Sequence, residues 1–234
     1  MKKLFVDAFN FYTNVMEKNV PNFWLSEGHE HRIKQCNQVI NSLNENFKFE
    51  KLITLETGSS ADYGDGLFGV FLGHATQSTN GEMYSVDISP TVVENSIQIF
   101  GKVLPHLKYS CTVQDSIEYL KNFDKEPNLV HLDSWDFDLF NPFPSALHGW
   151  REFEAIESKV PSGGIIIIDD NWCQGTYLQW VWSDGNVDGM GIKYPMIGKG
   201  THVYQYVKDF QTNWKLIGTH YEEKNNMKIV IQKK

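Results

Sequence analysis

Four consecutive isoleucines at positions 165–168 restrict the fold of this chain more than any other feature. They follow Gly163 and Gly164 and precede Asp169 and Asp170. An unbroken β-branched run is typical of a strand buried on both faces, as in a parallel sheet covered by helices on each side. Shorter apolar runs alternate with helical patterns before it, so we expect a doubly wound, mostly parallel α/β sheet of Rossmann-like type. The predicted parallel strands cover residues 51–56, 82–87, 108–113, 129–133 and 164–169.

The two ends of the chain follow other patterns. Apolar residues at spacings of three and four predict two N-terminal helices, at residues 5–16 and 28–43. We therefore separate an N-terminal helical segment, residues 1–50, from a ligand-binding domain at residues 51–234, and expect the first to form a lid or a dimer contact. Apolar runs at 214–221 and 227–232 predict an antiparallel hairpin at the sheet edge. Residues 193–202 are expected to form a mobile loop.

Composition and charge exclude several classes of partner. The chain has 21 Lys and Arg against 29 Asp and Glu, a net charge of −8, and such a chain is a poor candidate for nucleic-acid binding. No run of 18 apolar residues is present, so no membrane span is expected. The N-terminus lacks the apolar run of a signal peptide, and three cysteines without a CxxC motif fit a reducing compartment. We expect a cytoplasmic protein, and a homo-oligomer is compatible with this sequence.

Polar residues and glycines follow the first two predicted parallel strands. Ligands of open α/β sheets bind beyond the carboxyl ends of the strands. A glycine-containing turn there lets a ligand approach the backbone closely, and Asp87, at the end of the second strand, can accept hydrogen bonds from ribose hydroxyls. The predicted cofactor-binding residues in this region are Glu56, Gly58, Ser60, Gly64 and Asp87.

The turn after the third strand supplies further candidates for cofactor binding. Gln114, Asp115 and Ser116 can reach an adenine edge. These features also suit a nicotinamide-dependent oxidoreductase, but the GxGxxG motif that binds a pyrophosphate is missing. Glu56 would repel a pyrophosphate and would attract a cationic ligand. The pattern therefore favours S-adenosylmethionine, which carries an ammonium and a sulfonium group, over NAD.

Several segments together resemble class I S-adenosylmethionine-dependent methyltransferases, and most closely the metal-dependent O-methyltransferases that act on catechols and macrolide sugars. The resemblance covers roughly residues 50 to 234, which would form the methyltransferase domain. The segments that carry it are Leu55-Glu-Thr-Gly-Ser-Ser60, Tyr84-Ser-Val-Asp87, Gln114-Asp-Ser116, Leu132-Asp-Ser-Trp135 and Gly163-Gly-Ile-Ile-Ile-Ile-Asp-Asp170.

The resemblance implies a metal-assisted reaction at the ends of the fourth and fifth strands. Asp133, Asp169 and Asp170 would bind Mg²⁺ or another divalent cation, and Asp133 would also lie beside the cofactor. The cation would lower the pKa of a hydroxyl on a small molecule or sugar and align it with the sulfonium methyl group. Asp136 occupies the place of the lysine base of catechol enzymes. The general base is then Asp133, His148 or a metal-bound water.

Three other functions remain open from the sequence. The first is an oxidoreductase of the NAD-dependent Rossmann type. The second is hydroxylation on the methyltransferase scaffold, since some relatives of this architecture have changed chemistry. The third is a non-catalytic protein that binds a nucleotide or glycan.

Overall fold

The structure is a computed structural model of the 234-residue chain. It describes residues 3–20, 27–60, 62–63, 68–138, 141–172, 177–181, 187–193, 197–210, 212–219 and 226–234.

Helices and strands alternate through the centre of the chain. The helices in the described ranges are α1 (Leu4–Asn19), α2 (Glu27–Asn46), α3 (Phe68–Ser78), α4 (Pro90–Val103), α5 (Ser116–Asn122), α6 (Phe143–Ile156) and α7 (Thr201–Asp209). The strands are β1 (Ile53–Thr57), β2 (Glu82–Asp87), β3 (Lys108–Val113), β4 (Leu129–Leu132), β5 (Ile165–Trp172), β6 (Tyr177–Val181), β7 (Val187–Lys193), β8 (Ile197–Gly198), β9 (Trp214–Thr219) and β10 (Asn226–Lys233).

One large sheet organises the fold, in the order β3-β2-β1-β4-β5-β10-β9. Strands β3, β2, β1, β4 and β5 are parallel to one another. Strand β10 lies antiparallel between β5 and β9, which confirms the predicted terminal hairpin. The short strand β8 also pairs with β5, and β6 and β7 form a separate antiparallel pair. The predicted Rossmann-like α/β fold is confirmed.

Both faces of β5 are covered, as the isoleucine run predicts. All four isoleucines are fully buried, with an exposed fraction of 0%. Ile165 and Ile167 belong to a core that includes side chains of α1 to α4. Ile166 and Ile168 belong to a second core on the opposite face, with side chains of α5, α6 and α7. Alternating isoleucines therefore fill two cores, because successive side chains of a strand point to opposite faces.

The N-terminal helix α1 is part of the first core. Its apolar stripe, Phe5, Ala8, Tyr12 and Met16, is buried, and the Phe5 ring meets the edge of Phe47 at 5.6 Å between centroids. The predicted role of this segment as a lid or dimer contact stays a prediction. No helix in the described ranges combines the length and the apolar character that crossing a lipid bilayer requires.

The expectation of a mobile loop at residues 193–202 is wrong for its described part. Residues 197–198 form β8, and helix α7 begins at Thr201. The connecting residues, Lys199 and Gly200, are buried. The segment is ordered because α7 buries Val203 and Tyr204 in the second core.

Candidate functional site

The turn after β1 passes very close to the backbone that follows β4. Gly58 has φ of +76°, a left-handed conformation that side-chain-bearing residues rarely adopt. A Cβ atom added at Gly58 would lie 2.4 Å from the carbonyl oxygen of Asp133. The Gly58 amide donates to the carbonyl of Val86 at 2.9 Å. This close approach requires a glycine here and fixes the turn at the carboxyl edge of the sheet.

Asp87, the last residue of β2, holds this turn in place. Its Oδ2 accepts from the Ser59 amide at 3.0 Å, and its Oδ1 accepts from the Ser89 amide at 2.8 Å. Each carboxylate oxygen has a second lone pair, so both can also accept from a hydroxyl of a ligand. Ser60 is buried beside this turn, and Gly64 lies outside the described residues.

The predicted residues after β3 have separate partners. The Gln114 amide donates to the carbonyl of Asp87 at 3.0 Å, which joins this turn to the end of β2. Asp115 is exposed, and its carboxylate caps helix α5 by accepting from the Glu118 amide at 3.0 Å. Ser116 points the other way, toward helix α6, with its hydroxyl 3.1 Å from Nε2 of His148.

His148 belongs to a polar cluster, which we define as Ser116, Ser134, His148 and Glu152. Ser134 Oγ donates to Oε1 of Glu152 at 2.6 Å and lies 2.9 Å from His148 Nε2. With the Ser134 proton donated to Glu152, the Ser134 oxygen is left to accept from His148. On this ground we assign a neutral imidazole the tautomer with its proton on Nε2, which leaves a lone pair on Nδ1. Ser116 and His148 are predicted site residues, whereas Ser134 and Glu152 are not among the residues predicted from the sequence.

The surroundings of this polar cluster combine burial with exposure. Glu152 has an exposed fraction of 1%, and its carboxylate is 3.6 Å from His148 Nε2. Trp135 is 57% exposed and its ring lies 5.1 Å from the imidazole of His148. Trp135 also has φ of +67°, an uncommon conformation for a bulky residue. The cluster therefore contains a buried acid and contacts an exposed aromatic side chain.

The ends of β4 and β5 meet at the side chain of Lys199. Its ammonium nitrogen Nζ is 2.7 Å from Oδ1 of Asp133 and 2.9 Å from Oδ2 of Asp170. Burial alone would lower the pKa of Lys199, but these two carboxylates raise it. Burial and the charge of Asp169 raise the pKa of Asp133 to about 6, although Lys199 opposes that shift. The structure thus brings together Asp133 and Asp170, as predicted, but around an ammonium group.

Asp169 belongs to a second buried network, which we call the sub-sheet network: Ser85, Glu56, His131, Asp169 and Lys228. Lys228 Nζ bonds Asp169 Oδ2. His131 Nδ1 is 3.3 Å from Glu56 Oε1, and its Nε2 is 3.7 Å from Asp169. Ser85 Oγ donates to Glu56 at 2.8 Å.

Burial and neighbouring charges displace the pKa values of His131 and Asp169 in the sub-sheet network. Burial alone would lower the pKa of His131, but the carboxylates of Asp169 and Glu56 raise it to about 9. Burial alone would raise the pKa of Asp169, but Lys228 and His131 hold it well below its usual range. Glu56 is 2% exposed, so its carboxylate lies inside the protein and not at the open edge where the sequence analysis expected a ligand contact.

A divalent cation does not fit the three predicted carboxylates as they are arranged. Asp133 and Asp170 bond Lys199, and Asp169 bonds Lys228. A second group, His131, Asp133 and Asp169, has side-chain atoms of the kind that bind metal ions. One such atom of each residue lies within 4.8 Å of the others, so this group could hold a metal. A cation at that position would lie beside two buried ammonium groups, and like charges at short range repel strongly where water is excluded.

Proteins of similar fold occur among solved structures. A protein from Streptococcus mutans described as a methyltransferase, in complex with S-adenosylhomocysteine, matches with a TM-score of 0.52 and 12% identity, over 83% of this chain and 94% of that chain. A protein from Clostridium thermocellum described as an rRNA methylase matches with a TM-score of 0.52 and 14% identity, over 86% and 97%.

A third similar structure is the magnesium protoporphyrin IX methyltransferase from Synechocystis with bound S-adenosylhomocysteine. Its TM-score is 0.50 and its identity 11%, over 88% of this chain and 83% of that chain. No family model and no curated protein sequence matches this chain. At these identities the likeness is one of fold.

Proposed function

We propose that this protein transfers a methyl group from S-adenosylmethionine to a hydroxyl group of a small molecule or sugar. The observation that carries the proposal is the pairing of Gly58 with Asp87. A side-chain-free turn and a carboxylate fixed by two backbone amides lie together at the carboxyl ends of β1 and β2. Ligands of open α/β sheets bind at this edge, and two proteins of similar fold hold S-adenosylhomocysteine.

The residues present fit the chemical groups of this cofactor. Asp87 has acceptor capacity left for two ribose hydroxyls, and the Gly58 turn has no side chain that would keep a ligand from the backbone. Gln114 and Ser116, after β3, are the candidates for the adenine edge. Glu56 is not among the proposed contacts, because its buried carboxylate is bonded to Ser85 and His131 inside the protein.

The order of strands favours this cofactor over NAD. Dinucleotide-binding sheets of the Rossmann type have six parallel strands in the order 3-2-1-4-5-6. Here the strand next to β5 is β10, which is antiparallel to it. The missing GxGxxG motif supports the same choice.

His148 is the candidate proton acceptor for the transfer. When bound, the cofactor would supply a methyl group whose bond to the sulfonium sulfur breaks readily, because the sulfur keeps the electron pair and leaves as a neutral thioether, so the protein has mainly to align the acceptor. The lone pair on His148 Nδ1 can take the proton of the acceptor hydroxyl. Ser134 orients the ring through Nε2, and Glu152 stabilises the positive charge that the ring gains.

The acceptor class follows from charge. A net charge of −8 opposes a polyanionic substrate such as RNA, and the exposed Trp135 ring beside His148 offers a surface for a ring-bearing molecule. The Mg²⁺ expected from the resemblance is left out of the proposed reaction, because the carboxylates that would bind it already bond lysines.

Thermal unfolding with S-adenosylhomocysteine and with NAD tests the cofactor. S-adenosylhomocysteine is expected to raise the Tm of the wild-type protein, because a ligand that binds only the folded state stabilises it by mass action. The variant Asp87→Asn is expected to lose most of that rise in Tm. The matched control is Glu94→Gln, at an exposed position of helix α4, which is expected to keep the full rise. A rise in Tm with NAD and none with S-adenosylhomocysteine would support an oxidoreductase instead.

Transfer of a labelled methyl group tests the reaction. S-adenosylmethionine labelled in the methyl group is incubated with a panel of sugars and phenols, and the masses of the products are measured by mass spectrometry. We expect a gain of one methylene. A gain of one oxygen would indicate hydroxylation, and cofactor binding without any product from the panel or a cell extract would favour a non-catalytic binding protein.

A further inference from the structure

We infer that the ammonium group of Lys199 takes the place that the family resemblance assigns to a divalent cation. In this view, Lys199 is a positioning residue that holds Asp133 and Asp170 together, and the protein needs no metal. The inference goes beyond the proposed function, and its test does not depend on methyl transfer.

The Lys199 ammonium contacts three oxygens. It donates to Oδ1 of Asp133 at 2.7 Å and to the backbone carbonyl of Asp133 at 3.1 Å. It also forms an ion pair with Oδ2 of Asp170 at 2.9 Å. One cation therefore joins the ends of β4 and β5, as a metal ion shared between these residues would.

Burial places the ammonium beneath the two carboxylates. The side chain of Lys199 is 3% exposed, whereas those of Asp133 and Asp170 are 32% and 26% exposed. A ligand at the carboxyl edge of the sheet would therefore meet the carboxylates, with the lysine behind them. Two carboxylates and one ammonium leave a net charge of −1 at this point of the edge, which suits a cationic group such as a sulfonium.

The backbone around Lys199 is packed so closely that the side chain is held in this position. A Cβ atom added at Gly149 of α6 would lie 2.3 Å from the carbonyl oxygen of Lys199. One added at Gly198, where φ is +148°, would lie 2.1 Å from the carbonyl of Asp170. The Lys199 amide donates to that same carbonyl at 3.2 Å. Gly149 in α6 and Gly198 before Lys199 thus leave the space that the Lys199 backbone needs to reach Asp170 of β5.

The neighbouring carboxylate has its own lysine. Lys228, which is 4% exposed, bonds Asp169 and lies 4.4 Å from the ring centroid of Phe68. A second buried ammonium therefore neutralises the third carboxylate of the expected metal site. Within the described residues, each of the three predicted metal-binding aspartates is paired with a buried lysine.

Binding of Mn²⁺, measured by electron paramagnetic resonance, tests this inference. The wild-type protein is expected to bind no Mn²⁺ at millimolar concentrations, and its Tm is expected to be the same with Mg²⁺ and with EDTA. Lys199→Met keeps most of the side-chain length but removes the charge. It removes the ammonium group between Asp133 and Asp170 and is expected to bind Mn²⁺, with a Kd at least about tenfold below the highest concentration at which wild type binds none. Lys121→Met, at an exposed ion pair, is the matched control without such a gain.

Several results would overturn the inference. Stoichiometric Mn²⁺ binding by wild type would do so, and so would a loss of Tm in EDTA that Mg²⁺ restores. A folded Lys199→Met variant that binds no Mn²⁺ would also contradict it. If that variant does not fold, the wild-type measurements decide the matter alone. Because none of these measurements involves the methyl donor, a failure here is distinguishable from a failure of the proposed reaction.

Discussion

Replacing Gly58 with alanine tests the geometry on which the candidate site depends. The alanine would have to adopt φ of +76°, which costs about 1–2 kcal/mol for a residue with a Cβ atom. Its methyl group would also begin 2.4 Å from the carbonyl oxygen of Asp133, and relieving such an overlap by backbone movement costs about 1–3 kcal/mol more. We therefore expect Gly58→Ala to lower the free energy of unfolding by about 2–5 kcal/mol.

Urea denaturation followed by circular dichroism measures this loss. The matched control is Gly101→Ala in helix α4, where an added Cβ meets nothing within 4 Å. That variant is expected to gain about 0.5 kcal/mol, because alanine favours the helix. We also expect Gly58→Ala to weaken binding of S-adenosylhomocysteine, measured by calorimetry on the folded protein. If Gly58→Ala were as stable as wild type, the close approach of these two turns would be refuted.

Three further perturbations probe other parts of the structure. Glu152→Gln should lower kcat at least about tenfold with little change in KM, since the His148 ring loses the buried charge that stabilises its protonated form. An unchanged kcat would exclude a catalytic role for the pair of His148 and Glu152. The free energy of unfolding should fall as pH rises from 6.5 through 9, because His131 has a raised folded-state pKa of about 9 and the stability it contributes is lost as it deprotonates; His131→Gln should remove this dependence. Lys159 donates to the carbonyls of Leu120, Lys121 and Phe123, so Lys159→Met should lower the free energy of unfolding by about 2 kcal/mol in urea denaturation, and an unchanged value would contradict this.

The sheet could be predicted from the sequence because local patterns determine it. The isoleucines at positions 165–168 are buried on both faces. In a chain where strands and helices alternate, few folds other than a parallel sheet between two helix layers can bury such an apolar run. Asp87, Asp133 and Asp170 could be placed at one edge, because the carboxyl ends of parallel strands share an edge. The terminal hairpin also follows from two apolar runs joined by a polar turn.

Helix α7 and the role of Lys199 could not be predicted from the same patterns. The helix contains Thr201, Val203 and Tyr204, residue types with modest helix propensity, and it is stabilised by packing on the second core. Gly198 and Gly200 indicate a loop when considered locally. Only the three-dimensional packing shows that these glycines bring a lysine beneath two carboxylates.

The interior position of Glu56 could have been predicted from the sequence. In the parallel register, Glu56 of β1 lies beside Ser85 of β2 and His131 of β4, so their side chains share one face. Aligning the predicted strands would have placed this acid next to a histidine. Strand ends alone do not reveal the sub-sheet network, because Glu56, Ser85 and His131 lie within their strands.

A crystal structure of the protein with S-adenosylhomocysteine tests the central claim most directly. We expect the ribose hydroxyls within hydrogen-bond distance of the Asp87 carboxylate and the ligand against the backbone of the Gly58 turn. Density for the ligand at another place, or an Asp87 carboxylate that contacts only the amides of Ser59 and Ser89 while the ligand is bound, would contradict the account.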